Sequence, residues 1–245
     1  GGTDFPKNHD IELRNVRFSY DGKTDVLHGV NLKINDGERM ALVGRSGAGK
    51  STLVKAIMGM EKVNCGEVKV LHVNIPNLKV LNKIGYMAQS DALYEDLSGR
   101  DNLLFFAKLY KMDKAYIEKR IEYVSKIVKL ENDLSKKVSK YSGGMKRRLS
   151  LAISLIQNPD VFILDEPTVG IDPTLRLSIW NEINSLKSQG KSIIVTTHVM
   201  DEALRCDKLA LINDGKIIEY GKPEDLLKQY EVKSIEEIFI KFHAT

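Results

Sequence analysis

One stretch of eight residues constrains the fold of this chain more than any other feature. It runs Gly44-Arg45-Ser46-Gly47-Ala48-Gly49-Lys50-Ser51, the pattern G-x-x-x-x-G-K-S. Glycines let a backbone curl around a phosphate, a lysine adds a charge near the terminal phosphates, and a hydroxyl ligates Mg²⁺. Residues 39–43 before it read as a short buried strand. The pattern therefore predicts a strand, a phosphate-binding loop and a helix in direct succession.

The residues after the loop support that prediction. Leu53, Ala56, Ile57 and Met60 have the spacing of a helix with one face toward a core. The N-terminus of a helix offers unpaired N–H groups and the positive end of a dipole, and both favour an anion. An ordinary glycine-rich turn is the alternative. The residues predicted to bind a nucleotide here are Gly44, Ser46, Gly47, Ala48, Gly49, Lys50, Ser51 and Thr52.

The order of apolar patterns predicts an α/β fold. Residues 11–18 and 26–34 alternate apolar and polar side chains, which is typical of half-buried strands. Residues 161–164 and 192–196 form short apolar runs, which is typical of strands covered on both faces. Residues 66–70 and 83–88 read as further strands, and 207–220 as a hairpin around Asn213-Asp214-Gly215. Alternating strands and helices predict a mostly parallel sheet.

A helical region interrupts this alternation. Ile117, Ile121, Val124 and Val128 form a near-heptad stripe, and a second helical pattern covers 142–157. We expect one domain over 1–245. Its predicted parts are antiparallel strands with the loop core over 11–89, a helical subdomain over 90–158, the second half of the core over 159–221, and a helical tail over 222–245.

Charge and composition narrow the function classes. The net charge of +4 over 245 residues does not by itself indicate nucleic-acid binding. Cys65 and Cys206 have no metal-ligand spacing and favour a reducing, cytosolic setting. No apolar run approaches the roughly 20 residues that span a bilayer, and residues 1–4 give no sign of a signal peptide. Any membrane role is therefore expected to depend on a partner chain.

A basic cluster has two interpretations. It could be a nucleic-acid patch, but Glu131 and Asp133 lie near it and its helical spacing favours a solvated face. We therefore interpret it as solvent-exposed charge. The cluster consists of Lys136, Lys137, Lys140, Lys146, Arg147 and Arg148.

Asp165 and Glu166 directly follow the apolar run 161–164. A carboxylate at the carboxyl end of a buried strand, beside a phosphate loop, can hold Mg²⁺ directly or through water. Its neighbour could then orient and deprotonate an attacking water. The alternative is a solvated pair of acids at a strand end.

Tyr141-Ser142-Gly143-Gly144-Met145 ends 20 residues before Asp165. It resembles the signature motif of ATP-binding-cassette (ABC) ATPases. Other family motifs occur in the expected order, and the resemblance covers roughly residues 11–221. Gln89 is similar to the Q-loop glutamine, Gly170-Ile171-Asp172 to the D-loop, His198 to the switch histidine, and Tyr20 to the aromatic residue that stacks on adenine.

The resemblance implies a RecA-like P-loop core, with an N-terminal antiparallel β subdomain and an inserted helical subdomain. It also implies that the chain binds ATP and Mg²⁺ and hydrolyses ATP. Glu166, His198 and Lys50 would be the catalytic residues, and Ser51, Gln89 and Asp165 would ligate the metal. Ser142 and Gly144 would contact the ATP bound by a second subunit, in a head-to-tail homodimer or heterodimer.

Several variants resemble the exporter branch, which moves drugs, antibiotics, lipids or sodium. They are Tyr141, Met145, Val169-Gly170, and the stretches 146–152 and 234–239. The branch implies a transmembrane permease subunit that docks near Gln89 and the helical subdomain. The chain would then lie on the cytoplasmic side of the cell membrane, and no nucleic-acid partner is expected.

Two other functions compete with this one. A soluble ABC ATPase of translation, DNA repair or cluster assembly is disfavoured because the chain has one cassette and no sustained heptads. A kinase that uses the same phosphate loop would leave Ser142-Gly143-Gly144 without an explanation. The transported substrate cannot be named, because in this family the membrane chains recognise it.

Overall fold

A computed structural model describes residues 10–244, so the signal-peptide expectation at residues 1–4 lies outside it. The described residues form two compact units, one from residues 10–81 with 192–244 and one from 82–191. The described strands are β1 (Ile11–Phe18), β2 (Leu27–Ile34), β3 (Arg39–Val43), β4 (Cys65–Val70), β5 (Val73–Asn74), β6 (Ile84–Met87), β7 (Val161–Asp165), β8 (Ser192–Thr197), β9 (Lys208–Asn213) and β10 (Lys216–Gly221).

The helices follow the same numbering in chain order. They are α1 (Lys50–Met58), α2 (Leu78–Leu81), α3 (Gly99–Leu109), α4 (Lys114–Ile127), α5 (Gly143–Leu155), α6 (Pro173–Ser188), α7 (Met200–Ala203), α8 (Pro223–Gln229) and α9 (Ile235–Ala244). A short 3-10 helix, Val138–Lys140, precedes α5. Within the described residues, no helix is both long enough and apolar enough to cross a membrane.

The first unit contains an antiparallel sheet in the order β2-β1-β4-β5. Leu13 of β1 lies opposite Leu32 of β2 and Val68 of β4. All three side chains are buried. Alternation along the strands therefore produces one apolar face, and the half-buried strands predicted over 11–18 and 26–34 are confirmed.

The same unit contains parallel strands. β3 lies between β8 and β9 and is parallel to both, and β10 pairs antiparallel with β9. In the turn between β9 and β10, Asp214 and Gly215 have φ of 46° and 70°. Two left-handed residues in succession suit the right-handed twist of a tight hairpin. The α/β class and the mostly parallel strands predicted from the sequence are confirmed.

In the second unit, β6 and β7 pair in parallel, from Ile84 opposite Val161 to Met87 opposite Leu164. Every residue of β7 is buried. A Cβ on Gly85 would lie 2.4 Å from the Ser154 carbonyl oxygen, so β6 runs directly against the end of α5. The stripe predicted on α4 is confirmed, because Ile117, Ile121, Val124 and Val128 are all buried.

One predicted core residue lies outside the core. Leu53, Ala56 and Ile57 are buried on α1, but Met60 is 54% exposed. The helix ends at Met58, and Gly59 takes a left-handed conformation with φ of 75°. A left-handed glycine is a common helix terminator, so the helical spacing does not extend to Met60 and that prediction was wrong.

Candidate functional site

The phosphate loop connects β3 to α1, and its glycines meet specific backbone demands. A Cβ on Gly44 would lie 2.6 Å from the Ile212 carbonyl oxygen, so no side chain fits there. Gly47 and Gly49 have φ of 83° and 108°. Residues with a side chain adopt these values at an energetic cost that glycine does not have. Close packing and backbone conformation thus explain all three positions.

Lys50 lies along the inside of this loop. Lys50 is 8% exposed, and its Nζ donates to the carbonyl oxygens of Gly44 and Arg45. Helix α1 has no side-chain cap hydrogen bond at Gly49 and no acidic residue in its first turn. The first N–H groups of a helix have no partner within it, and they carry its positive dipole end. The arrangement suits a bound anion.

Tyr20 is held with its ring toward solvent. The Tyr20 residue is 58% exposed, and its hydroxyl lies 3.1 Å from Thr52 Oγ1. The Phe18 ring packs edge-to-face against it, with 4.7 Å between the ring centroids. The following turn is ordered by Asp21, which accepts from the Thr24 N–H at 2.8 Å. Backbone N–H donors in this turn, that of Thr24 first, lower the pKa of Asp21 to about 2. An aromatic residue with this exposure could stack on a planar ligand.

His198 follows the last residue of β8. Val43 and Thr197 are register partners in the parallel pair of β3 and β8, so the residues after them, Gly44 and His198, leave the same edge. The His198 residue is exposed. Thr197 Oγ1 accepts from the Val199 N–H at 2.9 Å, which shapes the turn in which His198 sits. The first unit therefore brings His198 to the edge from which the phosphate loop starts.

The predicted carboxylates lie at the end of β7 in the second unit. Asp165 and Glu166 are 3% and 8% exposed. Gln89, which follows β6, donates from Nε2 to Glu166 Oε2 at 2.7 Å. Burial and the Asp165 charge raise the pKa of Tyr86. Glu166 itself has a left-handed backbone, with φ of 51°. The structure thus brings together two predicted site residues that are 77 positions apart.

Ser142 and Gly144 lie at the start of α5. Ser142 Oγ accepts from the Met145 N–H at 3.2 Å, which caps the helix. No described atom outside its chain neighbours and its own helix lies within 4 Å of a Cβ built on Gly143. The corresponding Cβ on Gly144 would meet only the Gly170 carbonyl oxygen, at 3.5 Å. Neither glycine is left-handed. The described fold does not itself require glycine at these two positions.

The residues predicted to hold Mg²⁺ are of suitable types. Among residues 10–244, no group of three or more His, Cys, Asp and Glu side chains could hold a metal. Mg²⁺ instead prefers few protein oxygens and completes its octahedron with water and phosphate oxygens. Ser51, Gln89 and Asp165 supply one hydroxyl, one amide and one carboxylate oxygen, and this donor set fits that preference.

One buried residue was misread from the sequence. Arg147 was interpreted as part of a solvated basic face, but it is 6% exposed. That interpretation was wrong for Arg147, because its side chain is enclosed by the segments around Gln89 and Glu166. A signal was available, since Arg147, Leu151 and Leu155 have i, i+4, i+8 spacing on the buried face of α5. The sequence interpretation missed this spacing because it grouped Arg147 with the neighbouring basic residues.

Comparisons with known proteins identify the family of this chain. A family model described as ABC transporter matches residues 27–169. The Nod factor export ATP-binding protein I of Rhizobium meliloti (strain 1021) is 41% identical over 222 residues, which is 89% of this chain and 66% of that protein. The ABC transporter G family member 20 of Dictyostelium discoideum is 38% identical over 94% of this chain, which spans 32% of that protein.

Solved structures give the same result. A structure described as the ATP-binding subunit of an ABC transporter has a TM-score of 0.88 at 27% identity, covering 94% of this chain and 98% of the other. A dimeric ATP-binding cassette in a post-hydrolysis state, bound to ADP and Pi, has a TM-score of 0.80 at 29% identity. That match covers 86% of this chain and 98% of the other.

Proposed function

This chain belongs to the ABC transporter family, and from that premise we propose that it is an ATP-binding and ATP-hydrolysing subunit. In this proposal two subunits close head to tail around two Mg²⁺–ATP and power export through a separate transmembrane partner. The name of the R. meliloti relative supports an export role, and the dimeric structure bound to ADP and Pi supports both dimerisation and hydrolysis.

ATP binding is assigned first to the phosphate loop. Lys50 would exchange the Gly44 and Arg45 carbonyl oxygens for phosphate oxygens, which are stronger acceptors because they are charged. The exposed ring of Tyr20 would stack on adenine, and His198 would donate to the γ-phosphate. The remaining ATP contacts would come from Ser46, Gly47, Ala48, Gly49, Ser51 and Thr52.

One observation carries the proposed hydrolysis: Glu166 is a buried carboxylate at the end of a buried strand, and Gln89 orients it. Glu166 would accept a proton from the attacking water, which is the role of a general base. Ser51, Gln89 and Asp165 would hold Mg²⁺, which neutralises charge on the phosphates when it is bound. All of these residues, with His198, would act on one ATP.

The start of α5 supports the dimeric part of the proposal. Ser142 and Gly143 are exposed, and neither glycine is required by the described fold. A helix N-terminus without side chains over it can approach a phosphate closely. Ser142 and Gly144 would therefore contact the γ-phosphate of the ATP bound by the other subunit. The domain division is part of the same proposal, with 90–158 as the helical subdomain.

The membrane partner is proposed to dock near Gln89 and the helical subdomain. Tyr94, Phe105 and Phe106 form a cluster of edge-to-face and tilted rings in this region. Tyr94 is 48% exposed and Phe105 37%. Clustered exposed aromatic side chains favour a protein interface. Co-purification with a membrane protein from detergent would test this part, and isolation without one under those conditions would contradict it.

The test of the hydrolysis proposal is Glu166→Gln. The amide keeps the shape of the side chain but cannot take a proton from water, so turnover should fall by at least ~10²–10⁴-fold. ATP binding should persist, and ATP-bound dimers should accumulate on a sizing column. The matched control is Glu182→Gln, which changes a partly buried glutamate that accepts from the Tyr123 hydroxyl. Near-wild-type turnover in Glu166→Gln would exclude Glu166 as the base.

A further inference from the structure

We propose that Arg147 is a positioning residue for ATP hydrolysis, one that holds the backbones around Glu166 and Gln89 in their working geometry. The inference rests on the proposed role of Glu166 as the base. Arg147 belongs to α5, and its side chain points back into the second unit, where it is 7% exposed. Its buried guanidinium donates four hydrogen bonds, and these hold the side chain in place.

One nitrogen of the guanidinium fixes the base. Arg147 Nη2 donates to the carbonyl oxygens of Asp165 and Glu166 at 2.7 and 2.8 Å. These two carbonyls flank a residue with a left-handed backbone, since Glu166 has φ of 51°. Such a conformation is costly for a residue with a side chain and persists where the surroundings enforce it. Arg147 bonds to both sides of the strained position and so holds it in place.

The other nitrogen fixes the segment that carries Gln89. Arg147 Nη1 donates to the Ala88 carbonyl oxygen at 2.7 Å and to Asp91 Oδ1 at 3.2 Å. Ser150, one turn further along α5, donates to the same Asp91 oxygen at 2.7 Å. Ala88 and Asp91, which flank the Gln89 segment, are therefore tied to α5. The hydrogen bond between Gln89 and Glu166 closes the arrangement at 2.7 Å.

The shape of the guanidinium is essential to this role. Its planar fork presents donors in fixed directions, whereas an ammonium is a compact charge on a flexible stem. A lysine at position 147 could keep the charge near Asp91 but could not bond all four oxygens. The base and its glutamine partner would then lose their common support. Small displacements of this kind, on the order of 1 Å, can cost ~10²-fold in rate.

The test compares Arg147→Lys with Arg148→Lys. Arg148 is the adjacent residue of α5, and it also donates to backbone carbonyls, those of Val128 and Lys129 at 3.3 and 3.1 Å. Those carbonyls directly follow α4, in a different segment from Glu166 and Gln89. We expect Arg147→Lys to lower kcat by on the order of 10- to 10²-fold with KM within about two-fold. Arg148→Lys should keep kcat close to wild type.

Each kcat is expressed per folded protein. The folded fraction is measured from the thermal unfolding transition and from the number of ATP-binding sites in a titration. If kcat per folded protein in Arg147→Lys equals the wild-type value, Arg147 is merely structural and the inference fails. If Arg147→Lys does not fold, Asp91→Ala is the second variant. It removes the hydrogen bonds that Arg147 and Ser150 donate to Asp91, and it leaves the bond from Arg147 to the Ala88 carbonyl oxygen. Its kcat should fall at unchanged KM, and a wild-type kcat would overturn the inference.

The two proposals fail in different ways. If Glu166→Gln keeps wild-type turnover, the assignment of the base is wrong, and the role given to Arg147 has no foundation. If Glu166→Gln is inactive while Arg147→Lys turns over like wild type, the assignment of the base stands and the positioning role is wrong.

Discussion

Substitution of the two glycines at the start of α5, Gly143 and Gly144, should affect ATPase activity without lowering stability. Outside the chain neighbours and the helix itself, a Cβ on Gly143 would meet no described atom within 4 Å. One on Gly144 would meet a single oxygen at 3.5 Å, an ordinary contact. Both residues lie in the first turn of the helix. Alanine in such a position lowers the entropy of the unfolded chain and gains ~0.4–1 kcal/mol. Gly143→Ala and Gly144→Ala should therefore be neutral or stabilising.

For a chain of this size, 1 kcal/mol shifts the midpoint of thermal unfolding by about 2–4 °C, so each variant should melt up to about 4 °C higher than wild type. Its ATPase activity should nevertheless fall by at least ~10-fold, since an added methyl group covers the helix N-terminus that is proposed to approach the other subunit's γ-phosphate. Differential scanning calorimetry and steady-state phosphate release measure the two quantities on the same sample.

Gly85→Ala is the matched control for stability. Its Cβ would lie 2.4 Å from the Ser154 carbonyl oxygen and 2.6 Å from Pro159 Cγ. Overpacking of this kind costs ~1–3 kcal/mol, so its melting temperature should fall. Full ATPase activity in Gly143→Ala and Gly144→Ala would refute the proposal that the N-terminus of α5 contacts the other subunit's γ-phosphate. A large fall in their melting temperature would show that the fold itself requires the glycines.

Two further predictions concern the phosphate loop and the residue before Ser142. Lys50→Ala should abolish ATP binding in a direct calorimetric titration, because it removes the charge proposed to contact the phosphates. Unchanged affinity would contradict the phosphate-loop assignment. Tyr141→Phe removes the hydroxyl that donates to the Asp133 carbonyl oxygen at 2.7 Å. The lost hydrogen bond should cost ~0.5–1.5 kcal/mol, visible as a lower melting temperature. An unchanged melting temperature would show that water replaces the hydroxyl.

Features set by neighbouring residues were predictable from the sequence. The run Val161–Leu164 reads as a doubly covered strand because each residue is apolar, and β7 is buried throughout. The hairpin around Asn213-Asp214-Gly215 follows from residues that accept left-handed conformations, and Asp214 and Gly215 adopt them. In both cases the determining interactions lie within a few residues, so a local pattern contains them.

Features set by distant residues were not predictable in the same way. The hydrogen bond between Gln89 and Glu166 joins residues 77 positions apart, and no local pattern specifies it. The left-handed backbone of Glu166 is equally invisible, since glutamate has no preference for it. Arg147 stands beside exposed basic residues in the sequence, but the helix turns it inward. Its burial depends on carbonyl groups contributed by other segments.

The glycines show how the structure adds to the sequence motifs. In the sequence, Gly44, Gly47, Gly143 and Gly144 all belong to motifs that indicate phosphate binding. The structure separates them, because Gly44 has no room for a side chain and Gly47 is left-handed, whereas Gly143 and Gly144 have room and ordinary conformations. The first pair would be required to build the loop even without a ligand. The second pair therefore gives the stronger physical argument for an external group, since the chain's own fold does not explain it.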